Sequence, residues 1–266
     1  MPAVSLTRLK TQIAGLAWKF TSPDDFRRAV RDLFELYADR AYRAGEVVQA
    51  ERKAQAYHSP PLVLRQLELE LGRHIQENPE AALSAADALW QDEYLELRLV
   101  AAFLLGQAPV DNPQPVLRRL SAWCQAKEDR QALDGLLDRG SERLRREQPE
   151  RWFELIQEWI NQGRPQYDSM ALRALLPAVR DRQFENIPPI YQVIGPLLSA
   201  PTAAVQSNLI EVLKALARRS PVETAYFLRQ AVSLNPNPAV LRSVRRALPA
   251  FPENVQEGLR TVMKNR

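Results

Sequence analysis

Basic side chains are the residues of this 266-residue chain best placed by type and spacing to do chemistry, and that chemistry is phosphate binding. Thirty-six residues are basic and only six of these are lysine. The planar guanidinium of arginine presents a fork of donors that fits phosphate oxygens, although an arginine-rich genome accounts for the excess equally well. The charges are unevenly spread: residues 1–56 hold ten basic and seven acidic side chains, residues 57–199 sixteen and twenty-one, and residues 200–266 ten and four. The last third is therefore the basic one. Over residues 201–219, Val205, Leu209, Val212 and Leu216 form an apolar stripe at helical spacing, with Ser207, Lys214 and Arg218 opposite it. Over residues 237–248, Val240, Leu241, Val244 and Leu248 face a core while Arg242, Arg245 and Arg246 share the other side. Arg173 and Arg180, seven apart, also fall on one face. Any one such face reads equally as a solvated surface, but three on neighbouring helices make a stripe suited to a nucleic-acid backbone.

Other chemistry is scarce. His58 and His74 stand far from any Cys or acidic cluster with ligand spacing, so no metal site is expected. The lone Cys124 reads as a small core residue in a reducing compartment. Glycine-rich phosphate loops and a placeable Ser/His/Asp set are lacking, and no cofactor is expected. Arg130 and Asp134, four residues apart, read on pattern alone as an ordinary helical ion pair. Trp90, Trp123, Trp152 and Trp159 fall at helix ends and read as packing anchors between units. No run reaches the roughly 18 apolar residues of a membrane span, and residues 1–20 have no apolar leader segment. The expectation is a cytoplasmic monomer.

The elements that must position these residues are helices. Twenty prolines outnumber nine glycines, and Pro60, Pro79, Pro113, Pro149, Pro201, Pro221, Pro236 and Pro252 each precede an apolar-periodic segment, the place a helix tolerates proline. Asn78, Asn112, Ser220 and Asn235 directly precede four of them as candidate N-caps. Helices are expected near 4–19, 23–44, 61–77, 79–90, 93–105, 113–124, 128–147, 150–162, 168–180, 185–199, 201–219, 221–233, 237–248 and 252–265, and no segment alternates long enough for a strand. The segment from Glu93 to Leu105 is apolar almost all round, with Leu97, Val100 and Leu104 on one stripe and Leu99 and Phe103 beside it. Equivalent helix ends at 90, 123, 159, 198 and 232 are separated by 33, 36, 39 and 34 residues. That period predicts an all-α solenoid of antiparallel helix pairs of the HEAT kind, curved with a concave basic face. Residues 1–56 are expected to form capping helices and residues 57–266 one continuous domain of repeats.

Several segments resemble a known family. Ser59-Pro60-Pro61-Leu62-Val63-Leu64-Arg65, Ala88-Leu89-Trp90 and Glu96-Leu97-Arg98-Leu99-Val100-Ala101-Ala102 are similar to segments of the HEAT-like DNA alkylation repair glycosylases, the AlkD family. Trp159 with Ala171-Leu172-Arg173-Ala174-Leu175-Leu176, then Lys214-Ala215-Leu216-Ala217-Arg218-Arg219, then Leu241-Arg242-Ser243-Val244-Arg245-Arg246-Ala247 follow in the same order, so the resemblance covers roughly residues 57–250. It implies a protein that excises cationic alkylated bases from duplex DNA, with a carboxylate, an arginine and two tryptophans in its site. Arg130-Gln131-Ala132-Leu133-Asp134 resembles the family's Trp-x-x-x-Asp motif, which makes Asp134 the candidate carboxylate, and Arg173 matches the arginine. Arg130 and Arg218 stand in the two tryptophan places. A guanidinium repels the cationic base that an aromatic face attracts, so the departure weakens the case for cleavage.

Three readings of function follow. The first is a duplex-DNA-binding protein of the alkylation-repair kind, with catalysis reduced or absent, gripping the backbone through Arg130, Arg173, Arg180, Lys214, Arg218, Arg242, Arg245 and Arg246. The second is an active N-glycosylase using Asp134. The third is a scaffold for a protein partner.

Overall fold

A computed structural model describes residues 5–17, 19–41, 54–125 and 128–264. The fold is all-α, and among the described residues no strand forms; a single isolated bridge pairs Gln55 with Tyr94. Among the described residues no helix is long and apolar enough to cross a membrane. By contacts the chain divides into two compact units, residues 1–152 and 153–266.

The first unit contains α1 (Leu6–Ala17), α2 (Pro23–Leu36), α3 (Pro61–Glu77), α4 (Pro79–Trp90), α5 (Leu95–Gln107), α6 (Gln114–Trp123), α7 (Arg130–Gly135) and α8 (Glu142–Glu147). Proline at the first turn starts α2, α3 and α4, where its missing N–H has no helical partner to lose. The expected continuation of α2 to residue 44 runs into residues 42–53, outside the described part. One layer runs α1, α3, α5, and α2 packs on α4 in the other. Helix α5 is the buried centre expected of it: Leu97, Val100, Ala101 and Leu104 are fully buried, with Leu99 and Phe103 half-buried. The rings of Trp90 and Trp123 stack at 4.8 Å and 6°, tying the ends of α4 and α6 as packing anchors.

The expected single helix over 128–147 is interrupted. After the six residues of α7, a π-helical turn spans Leu136–Gly140, and α8 begins only beyond Ser141. This turn packs on α5, and at Gly106 the two backbones meet with no room for a side chain. Burial pushes the Arg139 guanidinium of that turn below its ordinary value, and Glu68 of α3 pairs with it.

Between α4 and α5 the carboxylate of Asp92 is fully shielded from solvent and accepts hydrogen bonds from Arg31 at 2.8 and 2.9 Å, Arg27 at 3.4 Å and the Tyr94 amide at 3.1 Å. Removing one side of a buried pair leaves the other uncompensated, but both arginines are about one-third exposed and water screens them. Asp92→Ala is therefore expected to cost about 1–3 kcal/mol in denaturant unfolding. A loss under about 0.5 kcal/mol would mean that Asp92 does not fasten α2 to the turn.

Helix α9 (Pro149–Asn161) spans the division between units. The second unit continues with α10 (Pro165–Arg180), α11 (Pro188–Ser199), α12 (Ala203–Arg219), α13 (Pro221–Leu234), α14 (Pro238–Ala247) and α15 (Glu253–Lys264). Here α10, α12 and α14 pack side by side as one layer, and α11, α13 and α15 as the other. Each pair buries its apolar stripe against the next, as a helical repeat requires. The N-cap of α14 is Asn237, whose side chain accepts from the amides of Ala239 and Val240, whereas Asn235, expected in that role, closes α13.

Candidate nucleic-acid interface

The layer α10–α12–α14 carries most of the basic residues singled out from the sequence. In α12 the apolar stripe Val205, Leu209, Val212 and Leu216 is buried at 1% exposure or less, which turns Lys214 and Arg218 outward, one half-buried and the other exposed. In α10, Ala171, Leu172, Ala174, Leu175 and Ala178 fill the core, leaving Arg180 exposed and Arg173 half-buried. In α14, Val240, Ser243, Val244 and Ala247 are buried and Arg242, Arg245 and Arg246 exposed, while Leu241, expected in the core, is half-buried. A polar contact registers two of these helices: the Asn208 amide of α12 donates to the Ser169 hydroxyl of α10.

Charge pairing differs between the units. In residues 1–152 many arginines meet a carboxylate: Arg31 with Asp92 at 2.8 Å, Arg98 with Glu128 at 2.7 Å, Arg119 with Asp87 at 2.5 Å and Arg143 with Glu147 at 2.7 Å. That unit holds twenty-two basic and twenty-three acidic residues, whereas residues 153–266 hold fourteen and nine, a net charge of +5. Among the described residues, none of Arg180, Arg182, Lys214, Arg218, Arg242, Arg245 and Arg246 forms an ion pair. Cations that outnumber nearby carboxylates and pair with none of them leave a positive potential for an external anion.

Between the ends of α10 and α12 lies a pocket of about 690 Å³. Val179, Arg180 and Arg182 line it from α10 and the turn beyond. Glu211, Lys214, Ala215, Arg218 and Arg219 line it from α12. The structure thus brings together Arg180, Lys214 and Arg218 of the expected residues, and adds Arg182 and Arg219. Arg173 stands two turns back along α10, and Arg242, Arg245 and Arg246 sit on the neighbouring α14; none of these four lines the pocket.

Arg219 has a different task from Arg218. Its guanidinium donates to the carbonyls of Val179, at 3.2 Å, and of Asp181 and Phe184. Carbonyls at a helix end lack internal partners, and Arg219 supplies them while fixing the turn that bears Arg182. Consecutive helical residues point about 100° apart, so in the pair Arg218-Arg219 one faces outward and the other reaches the adjacent helix end. That doublet was the only signal of Arg219's role in the sequence.

Arg130 and Asp134 belong to the first unit, where both are exposed on α7. The start of this short helix is well fixed. Asp129, only 2% exposed, caps it by accepting from Gln131 N at 2.8 Å and Ala132 N at 3.2 Å. Its other face is seated on α5, since a Cβ at Gly135 would lie 2.4 Å from Leu99 Cδ2. Among the described residues no group of three His, Cys, Asp or Glu side chains could hold a metal ion.

The sequence matches one family model, described as DNA alkylation repair enzyme, over residues 59–247. No curated protein and no solved structure matches the chain.

Proposed function

Because the chain belongs to the DNA alkylation repair enzyme family, we propose that it binds duplex DNA along the α10, α12 and α14 layer, with glycosidic cleavage reduced or absent. The observation that carries this reading is that Arg180, Lys214, Arg218, Arg242, Arg245 and Arg246 of that layer form no ion pair among the described residues. Duplex DNA carries one charge per roughly 1.7 Å of axis, and cations that neutralise phosphates release bound counterions. Arg130 and Arg218 stand in the places of the family's two tryptophans, and each puts a guanidinium, which repels a cationic base, where an aromatic face would attract it.

Binding is measured by fluorescence anisotropy on a short duplex. With six phosphate contacts, affinity is expected to fall about a thousandfold between 50 and 200 mM salt. A change of less than about threefold would exclude backbone gripping and favour a protein-binding scaffold.

Release of a methylated purine from alkylated duplex is expected to stay at background even with enzyme in excess over DNA. On the alternative reading, an active N-glycosylase, Asp134 would stabilise the positive charge that develops on the sugar as the base departs. Release that Asp134→Asn lowers about a hundredfold or more would instead establish an active glycosylase.

A further inference from the structure

The pocket between α10 and α12 holds more charge than a backbone diester needs. Arg180, Arg182, Lys214 and Arg218 line a space of about 690 Å³ and form no ion pair among the described residues. A diester carries one negative charge and, being part of a continuous strand, can meet these side chains only as the backbone passes across the mouth of the pocket. A phosphate monoester carries about −1.5 to −2 at pH 7 and sits at the end of a strand, where it can enter. Glu211, one turn before Lys214, repels a second phosphate, so the lining suits one dianion better than a run of backbone. The turn carrying Arg182 is already fixed by the bonds from Arg219 to the carbonyls of Asp181 and Phe184, so little ordering is required on binding.

We propose that this pocket seats the 5′-phosphate terminus of a DNA strand, as exposed at a nick or gap. The proposal rests on the duplex-binding reading, because the pocket lies in the layer that would hold the duplex. It adds that the chain distinguishes a broken strand from an intact one.

The test compares three duplexes of one sequence: intact, nicked with a 5′-phosphate, and nicked with a 5′-hydroxyl. At pH 7.5 and moderate salt the 5′-phosphate nick is expected to bind about tenfold tighter than the 5′-hydroxyl nick, the effect of one or two additional charge contacts. Below the second phosphate pKa of about 6 the monoester carries a single charge, like a diester, so the preference is expected to shrink at pH 5.5. Arg182→Gln is expected to erase the preference; because Arg182 also belongs to the basic cluster, intact-duplex binding is expected to weaken by no more than one phosphate contact, and the preference is read as the ratio of the two nicks within the same variant. Equal binding of the two nicks, or a preference that survives Arg182→Gln, would overturn the proposal. So would full competition by a free 5′-mononucleotide at micromolar concentration, which would make the pocket a nucleotide site. Salt-steep binding that ignores the terminus would leave duplex binding intact and remove only this inference.

Discussion

The triple variant Arg180→Gln, Lys214→Gln, Arg218→Gln is expected to bind duplex DNA about 500-fold more weakly than the unaltered chain at 0.1 M salt, each lost phosphate contact contributing about 0.9 log unit relative to 1 M. The slope of log affinity against log salt should become shallower by about 2.7, which separates lost phosphate contacts from general damage. Damage is not expected. Arg180 and Arg218 are exposed, Lys214 is half-buried, and none forms an ion pair among the described residues. Changes at such positions usually move stability by about 0.5 kcal/mol or less. The matched control is Arg229→Gln on α13, an exposed residue of the opposite layer. It changes net charge by one without touching the proposed surface, so both affinity and slope should stay near those of the unaltered chain. An unchanged slope in the triple variant, or an equal loss per charge from Arg229→Gln, would show that only net charge matters.

The outward placement of these residues was legible in the sequence because their helices are amphipathic. Once Val205, Leu209, Val212 and Leu216 are buried, helical geometry leaves no place for Lys214 and Arg218 except the far side. Prolines made many boundaries legible in the same way: α3 begins directly after Pro60 and α4 at Pro79. The convergence of Arg180, Arg182, Lys214 and Arg218 at one pocket was not legible, because it depends on which ends of α10 and α12 come together. Residues 128–147 misled for a related reason. Their apolar spacing is helical throughout, but a local pattern carries no record of the backbone approach that forces a π-helical turn at Leu136–Gly140. The family match over residues 59–247 likewise rests on the order of its segments and does not restore the two tryptophans absent at Arg130 and Arg218.

The same backbone approach yields the largest expected loss of stability. At Gly106, near the end of α5, an added Cβ would lie 1.7 Å from the carbonyl oxygen of Arg139, 2.7 Å from its carbon and 3.2 Å from Gly140 Cα. The obstructing atoms are backbone in the π-helical turn, so no rotamer change makes room. Either α5 or the turn must move by more than an ångström within a close-packed core. Gly106→Ala is expected to cost about 3–5 kcal/mol, lowering the unfolding midpoint by roughly 10 °C. Gly72→Ala provides the contrast: it sits within α3 with nothing inside 4 Å of the added Cβ, and should stabilise by up to about 1 kcal/mol through helix propensity. Equal midpoints for the two variants would refute the close approach. The consequence reaches the candidate carboxylate, because α7 runs directly into the π-helical turn and carries Asp134 one residue before its end. A displacement of the turn that accommodates a side chain at position 106 therefore also moves Asp134, so a folded Gly106 variant whose turn has shifted should lose whatever function depends on that residue without a change at the residue itself.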